Sequence, residues 1–144
     1  MAGAILTESQ LATFEFARGC GLKTPSGQDI SQTLADLRKV QGSALIIGGM
    51  AVIHYGYERL TKDIDLLYAY VDGKILERFD PFFRVVLKAQ NGWHHLEHRA
   101  TGVRVELIPE GGLTTYGFIP GPAIVGGEEG FISLWGLVWL KLVS

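Results

Sequence analysis

Apolar residues recur at changing intervals along the chain, and each change marks the edge of an element. The segment Thr7-Glu8-Ser9-Gln10 has the capping-box form, and Leu11, Phe14 and Phe16 follow with an incomplete helical period, which predicts a helix from Thr7. Gly19, Gly21, Pro25 and Gly27 end it in a loop. Ile30, Leu34 and Leu37 keep helical spacing and predict a second helix from Asp29 to Val40. The period then collapses. Ala44-Leu45-Ile46-Ile47 is a short continuous apolar run, the pattern of a strand buried on both faces, and it stops at Gly48-Gly49. Met50 to Tyr57 has room for about two helical turns, Glu58 to Lys62 is a polar connection, and Asp63 to Tyr68 reads as a second strand. A weaker helix is expected over Gly73 to Phe79, before Pro81.

Three further runs, Arg84 to Ala89, His94 to Arg99 and Val103 to Ile108, are separated by the turn pairs Asn91-Gly92 and Thr101-Gly102, as in a meander of strands. Gly111 to Gly130 reads as a glycine-rich loop region, and Phe131 onward as a buried final helix. Helices that precede and flank a small sheet predict an α/β or α+β fold with a mixed sheet. No repeat or low-complexity linker interrupts the chain, so residues 1–144 are expected to form one domain.

Composition narrows this picture in three ways. With 47% hydrophobic and 19% charged residues, 144 residues suffice to close one core. The formal net charge of −2 argues against nonspecific grip on duplex nucleic acid, while leaving room for a small or single-stranded acceptor at a local patch. A single cysteine, Cys20, allows no internal disulfide, which fits a reducing, cytoplasmic setting and a structural rather than catalytic thiol. No signal-peptide pattern is expected at the N-terminus. Phe131 to Val143 is too short for a membrane span and carries Lys141, so no membrane partner is expected.

Candidate chemistry gathers between Ala44 and Tyr68. Glycines let a backbone approach a ligand closely, and a helix starting at Gly48-Gly49 would offer free N–H groups to phosphate. Asp63 and Asp65 alternate with Ile64, so on a strand both carboxylates share one face, about 7 Å apart. Carboxylates so placed repel unless a cation joins them, and Mg²⁺ takes carboxylate oxygens together with substrate phosphates. Either half alone is ordinary: double glycines are mostly turns, and paired acids are often solvated. Thirteen residues between Gly49 and Asp63 leave room for a short helix and a return loop, which would bring the turn and the acids face to face.

The segment GGMAVIHYGYERLTKDIDLLY resembles the signature of the nucleotidyltransferase superfamily, the fold of DNA polymerase beta. Its form, GGxA followed by R-x-T-x-D-I-D, is most similar to the bacterial abortive-infection AbiEii-type toxins of toxin–antitoxin systems and their relatives. The resemblance is dense over Ala44 to Tyr68 and sparse elsewhere. It implies a nucleotide triphosphate as substrate, Mg²⁺ or Mn²⁺ as cofactor, and transfer of NMP to a hydroxyl of RNA, protein or a small molecule. It implies metal ligation by Asp63 and Asp65, and a third acid on a neighbouring strand. Glu106 in VRVELIPEG is the candidate for that acid, where the family more often has Asp; Glu110 is a weaker one. By the same resemblance Glu106 would accept the proton of the attacking hydroxyl. Gly48, Gly49, Arg59, Thr61, Lys62 and Lys141 are the candidate nucleotide-binding residues. Relatives continue past the lysine matched by Lys141 into more helix, which raises the expectation of a partner helical domain or a homodimer.

Three bland alternatives stand beside this reading. Glu106 could pair with Arg104 or Arg99 on the sheet surface. His94, His95 and His98 with Glu97 have neither the order nor the cysteines of a zinc site, so a polar sheet edge or acceptor-binding face is expected there. Trp93, Trp135 and Trp139 are expected in core or interface. A different class of function, a nucleotide-binding or regulatory module of the same fold without turnover, is the alternative to an active enzyme.

Overall fold

A computed structural model describes residues 6–20, 25–57, 60–114 and 117–143. Helix α1 (Glu8–Gly19) starts on a reciprocal capping box: the Thr7 N–H donates to Gln10 Oε1 at 2.9 Å and the Gln10 N–H to Thr7 Oγ1 at 3.1 Å. Helix α2 (Gly27–Val40) begins two residues before the expected Asp29, because Ser26 supplies the cap and accepts the Asp29 N–H at 2.9 Å. Then come β1 (Leu45–Ile47), α3 (Gly48–His54), β2 (Asp63–Tyr68), α4 (Ile75–Phe79), β3 (Phe83–Leu87), β4 (His94–His98) and β5 (Arg104–Pro109).

The five strands form one mixed sheet in the order β1-β2-β5-β4-β3. Only β2 and β5 run parallel; β1 lies antiparallel on β2, and β3-β4-β5 is the expected antiparallel meander. One face is packed. Phe14 of α1, Ile30, Leu34 and Leu37 of α2, Ile75 and Phe79 of α4, and Ile64, Leu66, Phe83, Leu96, Val105 and Leu107 of the sheet belong to one buried cluster. At about 25 cal/mol per Å² such burial is the main force holding the elements together.

The histidines divide across the sheet. His94 and His98 lie on the packed face, and His95 turns away. His98 is fully buried, its Nε2 2.8 Å from Asp36 Oδ2 of α2 and its Nδ1 2.7 Å from Thr101 Oγ1. The expectation of a polar sheet edge is therefore corrected: β4 lies between β5 and β3, and two of its three histidines are core residues.

The stretch from Gly111 to Gly130 holds more than loop: β6 (Leu113–Thr114) pairs with β7 (Gly117–Phe118), and α5 (Pro122–Val125) follows. Phe131 and Ile132 are extended rather than helical. The Ile46 N–H donates to the Gly130 carbonyl at 2.8 Å and the Ile132 N–H to the Ile46 carbonyl at 3.0 Å, so this segment satisfies the free side of β1. Gln41 reinforces it by donating from Nε2 to the carbonyls of Ala44 and Gly130. Helix α6 (Leu134–Val143) starts three residues later than expected, where Ser133 Oγ accepts the Gly136 N–H at 3.1 Å. It is not buried as a whole: Leu137 is covered, but Leu134, Trp135, Val138 and Leu142 are exposed. Trp135 is exposed and stacks on Trp139, which is half-buried and packs against the core. Cys20 is exposed too, so it serves no packing role in the core. Among the described residues no helix is long and apolar enough to cross a membrane.

Candidate active site

The chemistry-bearing residues meet at the end of β1 and the start of β2. β1 stops at Ile47, which stands directly across from Asp65. The next residue, Gly48, opens α3 with φ of +64°, a left-handed conformation that side chains with a Cβ resist. The space there is also taken: a Cβ on Gly48 would lie 2.6 Å from Asp65 Oδ2. The expected meeting of turn and acids is thus present, and it is tight.

Residues directly paired across a sheet share a face, so the registers define rows. One row reads Ile47, Asp65, Glu106, His95 across β1, β2, β5 and β4. The adjacent row reads Asp63, Arg104, Glu97, Arg84 across β2, β5, β4 and β3. Asp63, Asp65 and Glu106 therefore stand on one face, opposite the helix-packed one. Charges alternate along the second row, where Arg84 Nη2 lies 3.0 Å from Glu97 Oε1. Arg99 pairs with Asp80, not with Glu106.

Glu106 has two other neighbours. Trp93 Nε1 donates to its Oε2 at 3.3 Å, and His95 Nδ1 lies 3.3 Å from its Oε1. Trp93 is 39% exposed on this face, so it lies outside the core. Sequence reasoning missed the involvement of His95, Trp93 and Arg104. The alternation of β4 already separated His95 from His94 and His98, but the register that sets it beside Glu106 is a long-range property. Beside Glu106 a cavity of about 230 Å³ opens, lined by Val86, Leu87, His95, Glu97, Arg104 and Glu106.

Electrostatics sets Asp65 apart. Its burial, together with the charges of Glu106 and then Asp63, pushes its carboxyl up to about 6. Such a group carries negative charge that its surroundings leave uncompensated. Among the described residues no three His, Cys, Asp or Glu side chains stand as a ready-made ligand set for an ion. A hard cation that draws part of its shell from substrate oxygens does not need one, so the donor chemistry of Asp63, Asp65 and Glu106 fits a magnesium-type ion.

The other candidates are less engaged. Thr61 donates its hydroxyl to the Asp63 carbonyl at 2.8 Å and so shapes the entry to β2. Lys62 is exposed, and Lys141 is exposed in the last turn of α6. Glu110 follows β5, its N–H donating to the Tyr68 carbonyl at the far end of β2 from Asp63. Arg59 lies outside the described residues.

No protein-family model matches this chain, and no curated protein matches it in sequence. A solved structure does: a Thermotoga maritima protein described as a "putative nucleotidyltransferase" (TM1012) superposes with a TM-score of 0.52 at 16% identity, over 80% of this chain and 83% of that one. The five-stranded mixed sheet flanked by helices thus shares its fold with that protein.

Proposed function

We propose that this chain is a metal-dependent nucleotidyltransferase that moves NMP from an NTP to a hydroxyl of RNA, a protein or a small molecule. The observation that carries the reading is the pairing of Asp65 with Glu106 in register, on the face shared with Asp63 and against the Gly48 backbone. Three carboxylates from two adjacent strands, one of them held up near 6, are an arrangement that stability alone disfavours.

Asp63, Asp65 and Glu106 would hold Mg²⁺ or Mn²⁺, which when bound neutralises phosphate charge and stabilises the attacking and leaving oxygens. Gly48, with no Cβ, lets Asp65 lie against the backbone, and together with Gly49 it would present the turn to the triphosphate. Thr61 and Lys62 border its path, and Lys141 and Arg59 are assigned to it by resemblance. Glu106 borders the 230 Å³ cavity, which would receive the acceptor, and its carboxylate would take the proton of the attacking hydroxyl. Bond formation at the α-phosphorus then releases pyrophosphate. An abortive-infection-like toxin role in a bacterial cytoplasm, with a partner helical domain or a second copy beside α6, belongs to the same reading.

A second reading, a nucleotide-binding or regulatory module without turnover, draws on Glu106, which stands where the resembled family more often has Asp. One experiment separates them: each labelled NTP is incubated with the protein, Mg²⁺ or Mn²⁺, and pools of cellular RNA and protein. Label transfer lost in Asp63→Asn and Asp65→Asn supports the enzyme. Nucleotide binding without transfer supports the module, and neither binding nor transfer sinks both.

A further inference from the structure

Glutamate at position 106 poses a positioning problem. It is one methylene longer than aspartate and has one more torsion to fix, so a carboxylate at its tip is harder to hold in place. Its two oxygens have separate neighbours, Trp93 Nε1 on Oε2 and His95 Nδ1 on Oε1, both at 3.3 Å. These neighbours come from one structural unit. His95 is in β4, across from Glu106 in register, and Trp93 sits two residues earlier at the mouth of the Asn91-Gly92 turn.

That turn is itself pinned. The Trp93 N–H donates to Asn91 Oδ1 at 3.0 Å, the Tyr68 hydroxyl donates to the Gly92 carbonyl at 2.6 Å, and the Gly92 N–H donates to the Ala89 carbonyl at 3.1 Å. A half-exposed indole would otherwise gain little by lying against a carboxylate. We propose that Trp93 and His95 are positioning residues that clamp the Glu106 carboxylate from the β4 side, one against each oxygen, and so fix where it stands beside Asp65. The inference rests on the reading of Glu106 as a member of the acidic site. A hydrogen bond and an N···O contact of 3.3 Å are individually weak, and it is the pair, each fixed by its own backbone, that restricts the torsions.

The test has two arms, both on the full chain. In the first, ¹⁵N-labelled protein is observed at the indole N–H resonances with and without Glu106→Gln. The Trp93 resonance is expected to move while those of Trp135 and Trp139 stay. An unmoved Trp93 resonance overturns the clamp whatever the protein's activity. In the second, Mn²⁺ is titrated into the wild type, Asp65→Asn, Trp93→Phe, His95→Leu and His95→Asn, each checked for an unchanged circular dichroism spectrum. Asp65→Asn is expected to abolish binding. Trp93→Phe and His95→Leu are expected to weaken it about 10–100-fold, the size of effect typical of groups that orient a ligand. His95→Asn, which keeps a donor near the Nδ1 position, is expected to recover most of the loss. If the wild type binds no Mn²⁺, the metal site fails and the resonance arm alone judges the contact. Should Asp65→Asn abolish binding while Trp93→Phe and His95→Leu bind as the wild type does, the site stands and the clamp falls.

Discussion

Gly48 and Asp65 lie so close that a methyl group on Gly48 would sit 2.6 Å from Asp65 Oδ2. The contact joins the first residue of α3 to the middle of the acidic strand, and it ties backbone conformation to carboxylate position. Gly48→Ala therefore carries two penalties. The left-handed backbone costs about 1–2 kcal/mol for a residue with a Cβ, and the new methyl pushes the carboxylate aside. The expected outcome is lower stability in urea together with a loss of label transfer on the order of a hundredfold, because displacing a reacting group by an ångström suffices for that. A variant as stable and as active as the wild type would show that neither contact matters.

Asp65 also sets a pH dependence whose sign follows from its raised carboxyl. Its folded value of about 6 lies above the unfolded one, so between pH 4 and pH 6 the folded state binds more protons. The stabilisation is complete below the unfolded value and is lost as pH rises through 6. Without metal, the protein should therefore be less stable at pH 7.5 than at pH 5 from this group, by about 1–1.5 kcal/mol. Asp65→Asn removes the charge and should flatten the profile, leaving the variant more stable than the wild type at pH 7.5. Urea unfolding at both pH values, in EDTA, measures the difference.

The same carboxyl predicts a metal effect with a matching slope. A cation favours the charged form and competes with the proton, so Mg²⁺ or Mn²⁺ should raise the melting temperature more at pH 7.5 than at pH 5. Asp63→Asn and Asp65→Asn should erase the increment. An equal rise in wild type and both variants would mean that the ion binds elsewhere.

How much of this was open to sequence reading varies with the range of the interaction. The Thr7–Gln10 box, the Gly48-Gly49 stop and the face shared by Asp63 and Asp65 depend on neighbours a few residues apart, and periodicity carries them. The pairing of Asp65 with Glu106 joins strands 41 positions apart; alternation gave the face of Glu106, but the register emerges only in the sheet. Phe131 and Ile132 misled because their apolar run looks continuous with α6, whereas the unpaired side of β1 claims them as extended chain. His98 likewise reads as a solvent-facing side chain until α2 brings Asp36 and Thr33 to it.

That buried cluster makes its own prediction. Burial alone would raise the Asp36 carboxyl, but hydrogen bonds from His98 and Lys39 outweigh it and hold the carboxyl below its ordinary value. A lowered acid stabilises the fold above its unfolded value, and that contribution is lost as pH falls through the folded one. Asp36→Ala would leave His98 Nε2 buried without its partner and should cost about 1–3 kcal/mol at neutral pH. The loss should shrink as pH falls below the ordinary carboxylate range, where the wild type gives up the same interaction, and chemical denaturation as a function of pH tests it.

Gly136 offers a case in which two rules of thumb oppose each other. It lies inside α6, where alanine would be favoured over glycine by about 1 kcal/mol. A Cβ there, however, would lie 2.7 Å from Val125 Cβ and 2.9 Å from Ile132 Cγ1. Both neighbours are fully buried, and Val125 meets the new atom with its branch point, which cannot rotate away. Forcing a methyl into such a contact costs about 1–3 kcal/mol, which outweighs the helical gain. Gly136→Ala is therefore expected to destabilise the protein by about 1 kcal/mol or more and to loosen α6 from α5. Hydrogen exchange over α6 and a urea midpoint would register both effects, and a variant more stable than the wild type would show that propensity, not packing, governs this helix.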